Sequence, residues 1–139
     1  MNDWSLEDAW RCQDSVVRFT CHFDAGENTQ MEQHFARDGV WLRSDGEIRG
    51  IGQLRSFLEQ RGSRHVTRHL LSNMRVTPLG EHRAAVDSYV TAYRVEAATA
   101  TAPLPLGHPF MVGRYHDELV REDGMWRIAK RTTITDLKS

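Results

Sequence analysis

Two cysteines, four prolines and no surplus of charge set the first limits on this 139-residue chain. Cys12 and Cys21 cannot build a disulfide framework, and on a helix they point to opposite sides at about 100° per residue. Eighteen basic against nineteen acidic side chains leave a net charge of −1. That balance offers no electrostatic grip on nucleic acid or on an anionic membrane. No apolar run approaches the roughly 20 residues a bilayer crossing needs. The acidic opening Met1 to Asp8 lacks the apolar core of a secretory signal, so a cytoplasmic location is expected. There is no Gly-rich phosphate loop, no Gly-x-Ser-x-Gly elbow and no zinc-type cysteine pair, which removes nucleotide-dependent and serine-hydrolase readings. What remains, 40% hydrophobic and 27% charged, is the composition of a globular protein, read as one domain over residues 1–139.

The apolar period is helical for about sixty residues and strand-like afterwards. Ser5 with Asp8 forms a helix start, followed by a stripe of Leu6, Ala9, Trp10, Val16, Val17, Thr20 and Cys21. A second helix is expected over Asn28 to Arg37, stopped by Gly39, and a hairpin over Val40 to Ile48 turns at Ser44-Asp45-Gly46. A third helix carries Ile51, Leu54, Phe57 and Leu58 and ends at Gly62. His65–Thr77, Ala84–Ala97, Phe110–Arg121 and Met125–Thr135 then read as strands. Ala98–Pro109, with three prolines, is a long loop expected over a pocket mouth or a subunit interface. Helices followed by antiparallel strands give α+β, a curved sheet wrapped over three N-terminal helices as a cone that encloses a pocket.

Asp24 lies eighteen positions after Leu6, about five helical turns, and so projects from the apolar stripe if the first helix runs that far. A carboxylate turned toward a core needs a partner, because its charged form is otherwise disfavoured. The alternative is a turn at Asp24-Ala25-Gly26 facing water. Strand alternation places His65, Thr67, His69, Leu71 and Asn73 on one face, with Val66, Leu70, Met74 and Val76 mostly on the other. Two imidazoles four residues apart on a strand are about 13 Å apart and cannot share an ion, so no metal site is read here. Solvent is the default for His65, whereas Leu70 and Leu71 beside His69 favour its enclosure. Arg127 and Arg131 share a face with Met125 and Ala129. Such an arginine is either a surface residue with a buried stem or a permanent charge for an anion.

Six segments in order carry a resemblance. They are Phe23-Asp24-Ala25-Gly26-Glu27, the stretch Phe35 to Trp41, Arg49-Gly50-Ile51, the stretch Arg68 to Asn73, the stretch Gly113 to Glu118, and Asp123 to Ile128. Together they resemble the SnoaL-like branch of the nuclear-transport-factor-2-like superfamily over nearly the whole chain. The resemblance implies a cone-shaped α+β fold with a deep apolar pocket, in homodimers or homotrimers. Within it the chain is similar to three lyases: scytalone dehydratase, hexachlorocyclohexane dehydrochlorinase and bile-acid 7α-dehydratase. Their orienting aspartate falls on Asp24, their proton-abstracting histidine on His69 and the pocket arginine of two of them on Arg131. The chain departs from them at Phe19, where they carry lysine or tyrosine, and at Phe23, where scytalone dehydratase has tyrosine.

The resulting expectation is a cofactor-free lyase, most simply a dehydratase, for a hydrophobic cyclic or polyketide-like molecule. His69 is the general base, Asp24 fixes its tautomer, and Arg131 with Asn73 holds the developing anion. Phe19, Phe23, Trp41, Leu71, Tyr89, Tyr93 and Tyr115 complete the expected pocket, with the tyrosines as candidate acids. The same fold also serves isomerases, cyclases and epoxide hydrolases, as well as ligand carriers and the non-catalytic β subunits of oxygenases. An enclosed cavity with Asp24 touching His69 favours the enzyme; a filled cone with a large apolar outer patch favours the binding or assembly module.

Overall fold

The first helix is fixed at both ends by local chemistry. In the computed structural model, which describes residues 4–96 and 101–139, α1 spans Leu6–Ala25. The Ser5 hydroxyl accepts from the Asp8 amide at 3.1 Å while the Asp8 carboxylate accepts from the Ser5 amide at 3.2 Å, a reciprocal cap. Gly26, at φ 71°, ends the helix in the left-handed region that glycine adopts without strain. The buried face is Cys12, Ser15, Val16, Phe19, Thr20 and Phe23. This corrects the expected stripe, since Leu6, Trp10 and Cys21 are exposed. Burial pushes the Cys12 thiol up to about 12, so it stays protonated.

Helix α2 spans only Asn28–Glu32, and β1 (Phe35–Arg43) begins where the helix was expected to continue. Pairing decides the boundary: Phe35 lies opposite Ile128 of the last strand and both are buried. Gly39 is not a helix stop. A side chain there would strike the Phe35 ring, so the glycine makes room for it. After β2 (Gly46–Arg49), which forms the expected hairpin with β1, α3 spans Gly50–Arg61. The long strands β3 (His65–Gly80), β4 (Arg83–Glu96), β5 (Met111–Glu122) and β6 (Met125–Lys138) follow.

The sheet order is β2-β1-β6-β5-β4-β3, with β1 parallel to β6 and every other pair antiparallel. The mixed sheet curves over the helices without closing, so β2 and β3 remain edges. Phe19 stacks on Phe35 at 5.8 Å and meets Trp41 edge-on at 5.8 Å, which ties α1 to β1.

Two bulges re-aim side chains that strict alternation would misplace. Asn73, at φ 51°, interrupts the β3–β4 register between Ser72 and Arg75, and after it Met74 and Val76 turn to the core. Across from the step between Glu118 and Leu119, the β6 partners skip Ala129. Arg131 thereby joins the buried side of Trp126 and Ile128 rather than the face of Arg127. There Asp117 on β5 accepts from its guanidinium at 2.7 and 3.1 Å, and both side chains are buried. Desolvation pushes the Asp117 carboxyl up, and the Arg131 charge opposes that rise.

Asp117→Asn should cost about 3–5 kcal/mol in urea unfolding by leaving a buried charge unpaired, and Asp117→Leu with Arg131→Met should restore most of it. Gly113→Ala should also destabilise by about 1–3 kcal/mol, because a Cβ at this bulge would run into the Ile134 carbonyl.

Candidate active site

The last turn of α1 and the first half of β3 meet at Asp24. Thr20, one turn earlier, is buried, so the position four residues later points into the protein. Asp24 thus faces inward although Leu6, the reference for the helical argument, does not. Its Oδ1 accepts from Thr67 Oγ1 at 2.8 Å and lies 2.6 Å from His69 Nδ1, while Oδ2 accepts from the His69 amide at 2.8 Å. Arg61 Nη2 on α3 in turn donates to Thr67 Oγ1 at 2.8 Å, and its guanidinium lies 4.1 Å from the Phe23 ring centre. The Asp24 and His69 side chains are only 11% and 15% exposed.

Burial alone would raise the Asp24 carboxyl. The hydrogen bond and charge of His69, its backbone amide and the Thr67 hydroxyl outweigh it and hold the carboxyl below its ordinary range. An ionised Asp24 makes Nδ1 the protonated ring nitrogen, an assignment that follows from the hydrogen-bond network. In the neutral imidazole Nε2 then carries the lone pair, and it has no partner among the described residues.

His69 lines an open cavity of about 440 Å³. Phe23, Trp41, Phe57, Met111 and Tyr115 give it an aromatic and apolar interior, and Tyr93 and Phe110 stand with them. The aromatic rings interlock: Trp41 meets Phe23 at 5.8 Å and Phe57 at 5.9 Å, and Phe23 meets His69 at 5.6 Å. Tyr115 is buried, and its phenol is pushed up by that burial against the nearby Arg131 charge, so it stays a proton donor. The hydroxyl has no hydrogen-bond partner among the described residues.

Of the expected site residues, Asp24 and His69 are in contact, and Phe23, Trp41, Tyr93 and Tyr115 line the cavity with His69. Arg131 does not reach the cavity. The Ala129 bulge and the Asp117 carboxylate hold it in the core, where its guanidinium lies 3.8 Å from the centre of the Tyr115 ring. Phe19 is core beneath Trp41, and Leu71 bridges the two apolar clusters. Asn73 is exposed at the β3 bulge, and Tyr89 is exposed on the opposite side of the sheet. Neither lines the cavity.

Thr67 was legible as a member of the His69 face, but its bond to Asp24 was not. Arg61, Phe57 and a ring of further cations carry no local signal, because their spacing to the dyad exists only after folding. His65, expected in solvent, also lines the cavity. Of the long loop, residues 98–100 lie outside the described residues. Its later part, Pro105 to His108, borders a smaller cavity with Tyr93, Arg94 and Val95, and none of residues 101–109 lines the main cavity. Leu106 in this stretch is exposed.

The chain is 26% identical to the small oxygenase component of the p-cumate 2,3-dioxygenase system of Pseudomonas putida, over 96% of this chain and 73% of that protein. Among solved structures, a protein of Novosphingobium aromaticivorans assigned as a scytalone dehydratase superposes with TM-score 0.82 at 22% identity, covering 96% of this chain and 87% of its own. A type 2 hexachlorocyclohexane dehydrochlorinase superposes with TM-score 0.80 at 15% identity, covering 96% and 88%. At these identities the structural likeness shows the fold alone. The SnoaL-like domain matches residues 4–132, and the chain belongs to that family.

Proposed function

We propose that this protein is a cofactor-free lyase of the dehydratase type, acting on a hydrophobic cyclic molecule. The observation that carries the reading is the Asp24–His69 contact at 2.6 Å on the wall of an aromatic cavity, with Nε2 of the imidazole unengaged. Nε2 removes a proton from carbon beside an activating carbonyl. The electron pair left behind forms the new carbon–carbon double bond as the neighbouring carbon–oxygen bond breaks. The departing hydroxyl takes a proton from Tyr115 and leaves as water. Asp24 keeps the tautomer and stabilises the imidazolium that forms.

Arg131, expected at the site, acts in this proposal only behind Tyr115, through the ring it covers. A homodimer or homotrimer in the cytoplasm is part of the same proposal. No helix among the described residues is long and apolar enough to cross a membrane. Val66, Leu70 and Tyr89, exposed on the side of the sheet away from His69, are where we place the contact between copies.

The identity to the small oxygenase component favours a second reading, an assembly module without chemistry of its own. Elimination of water from 3-hydroxy-1-tetralone, which gives fluorescent 1-naphthol after tautomerisation, separates the two. The wild type should accelerate it, His69→Ala should lose about 10²–10⁴-fold of that rate, and Asp24→Asn nearly as much. Equal rates in all three would leave the module.

A stability measurement reads the dyad without turnover. A carboxyl held below its unfolded value stabilises the fold above that value, and the contribution disappears as pH falls through the folded one. Melting temperatures of wild type and Asp24→Asn should therefore differ most near neutral pH and converge below about pH 4.

A further inference from the structure

Charge is segregated in this molecule. The chain as a whole carries −1, yet Arg43, Arg61, Arg64, Arg94 and Lys138 line the cavity with Asp45 as the one carboxylate among its lining residues. Asp45 is already engaged, accepting from Arg43 Nε at 3.1 Å, and Arg61 is committed to Thr67 and the Asp24 charge. Arg64, Arg94 and Lys138 form no ion pair with a carboxylate among the described residues, although the Lys138 charge helps hold the Asp45 carboxyl down. Two of these cations converge on one ring. Arg94 of β4 and Lys138 of β6 flank Phe110, at 3.8 and 5.4 Å from its centre. The register explains why, since Met111, the next residue, lies opposite both Ala92 and Lys138.

Holding like charges near each other without enough counter-ions is unfavourable, and the cavity lining supplies only Asp45 against five cations. The aromatic walls call for an apolar ring, while the stacked guanidinium of Arg94 leaves its N–H edge unbonded among the described residues, suited to the two oxygens of a carboxylate. We propose that the pocket binds an aromatic or alicyclic carboxylate, its ring among Phe23, Trp41 and Phe57 and its anionic end at Arg94 and Lys138. The proposal rests on reading this cavity as the substrate site and names the class of molecule it takes.

Titration calorimetry with 2-naphthoate and its neutral isostere 2-naphthamide tests it without any need for turnover. Naphthoate should bind the wild type about ten-fold or more tighter than naphthamide at roughly 20 mM salt, the gain of a charged hydrogen bond. That preference should shrink several-fold at about 0.5 M salt, where screening shortens the reach of exposed charges. In Arg94→Gln with Lys138→Gln, both exposed positions, naphthoate affinity should fall to that of naphthamide. His69→Ala should keep the preference, which excludes the imidazolium as the anion's partner. Equal affinities in the wild type, no binding of naphthoate, or a preference that survives in the double variant would overturn the proposal. A preference for naphthoate in a protein that leaves the tetralone untouched would instead sink the lyase reading and keep the anion site.

Discussion

One carboxylate joins the two halves of this fold. Asp24, at the end of α1, accepts from the Thr67 hydroxyl and the His69 amide and contacts the His69 ring, so three groups of β3 are tied to one helix terminus. A charged group at that depth persists only if its lost hydration is replaced by donors, and β3 supplies them. The edge strand is therefore anchored to the helix by a polar contact as well as by the apolar packing of Leu71, Met74 and Val76. The same contact sets the orientation of the imidazole. Positioning and electrostatics at this site thus come from one arrangement.

Around this anchor the protein is built in depth. The core of Phe19, Met31, Phe35, Leu54 and Ile128 fixes α1 and α3 against the sheet. Above it lies the aromatic layer of Phe23, Trp41 and Phe57, which is both the roof of the core and the wall of the cavity. Tyr115 stands between the two charge systems, lining the cavity while its ring covers the Arg131 guanidinium. The Asp117–Arg131 pair is therefore a structural support beneath the site. Its two charges are satisfied by each other in a way that a group facing substrate would not be.

The cavity's electrostatics pull in two directions. The interior offers a base in a mostly apolar setting, which suits proton removal from carbon once water is displaced. The mouth offers permanent cations on aromatic rings, which suits an anion held apart from the base. Arg43 takes part in this layer as well, 4.8 Å from the Trp41 ring and 4.5 Å from Phe57 while bonded to Asp45.

Much of this was written in the sequence, because its causes are local. The Ser5–Asp8 cap, the Gly26 stop and the Ser44-Asp45-Gly46 turn need only neighbouring residues to act. The alternation of His65, Thr67 and His69 against Val66 and Leu70 was equally visible. It has the polar side inward, which is what a strand lining a pocket requires and a strand packed on a core does not. The family resemblance then singled out Asp24 and His69. Tertiary structure decided the rest. Phe35 became strand because Ile128 pairs with it, and no helical period could have announced that competition. Two single-residue bulges, at Asn73 and Ala129, reversed the facing of the residues that follow them, up to the next register step. That is how Asn73 left the site and Arg131 entered the core, since a period of two has no tolerance for one extra residue. The cations at the mouth come from β1, α3, β4 and β6 and the turn before β3, so their convergence was set only when the sheet curled.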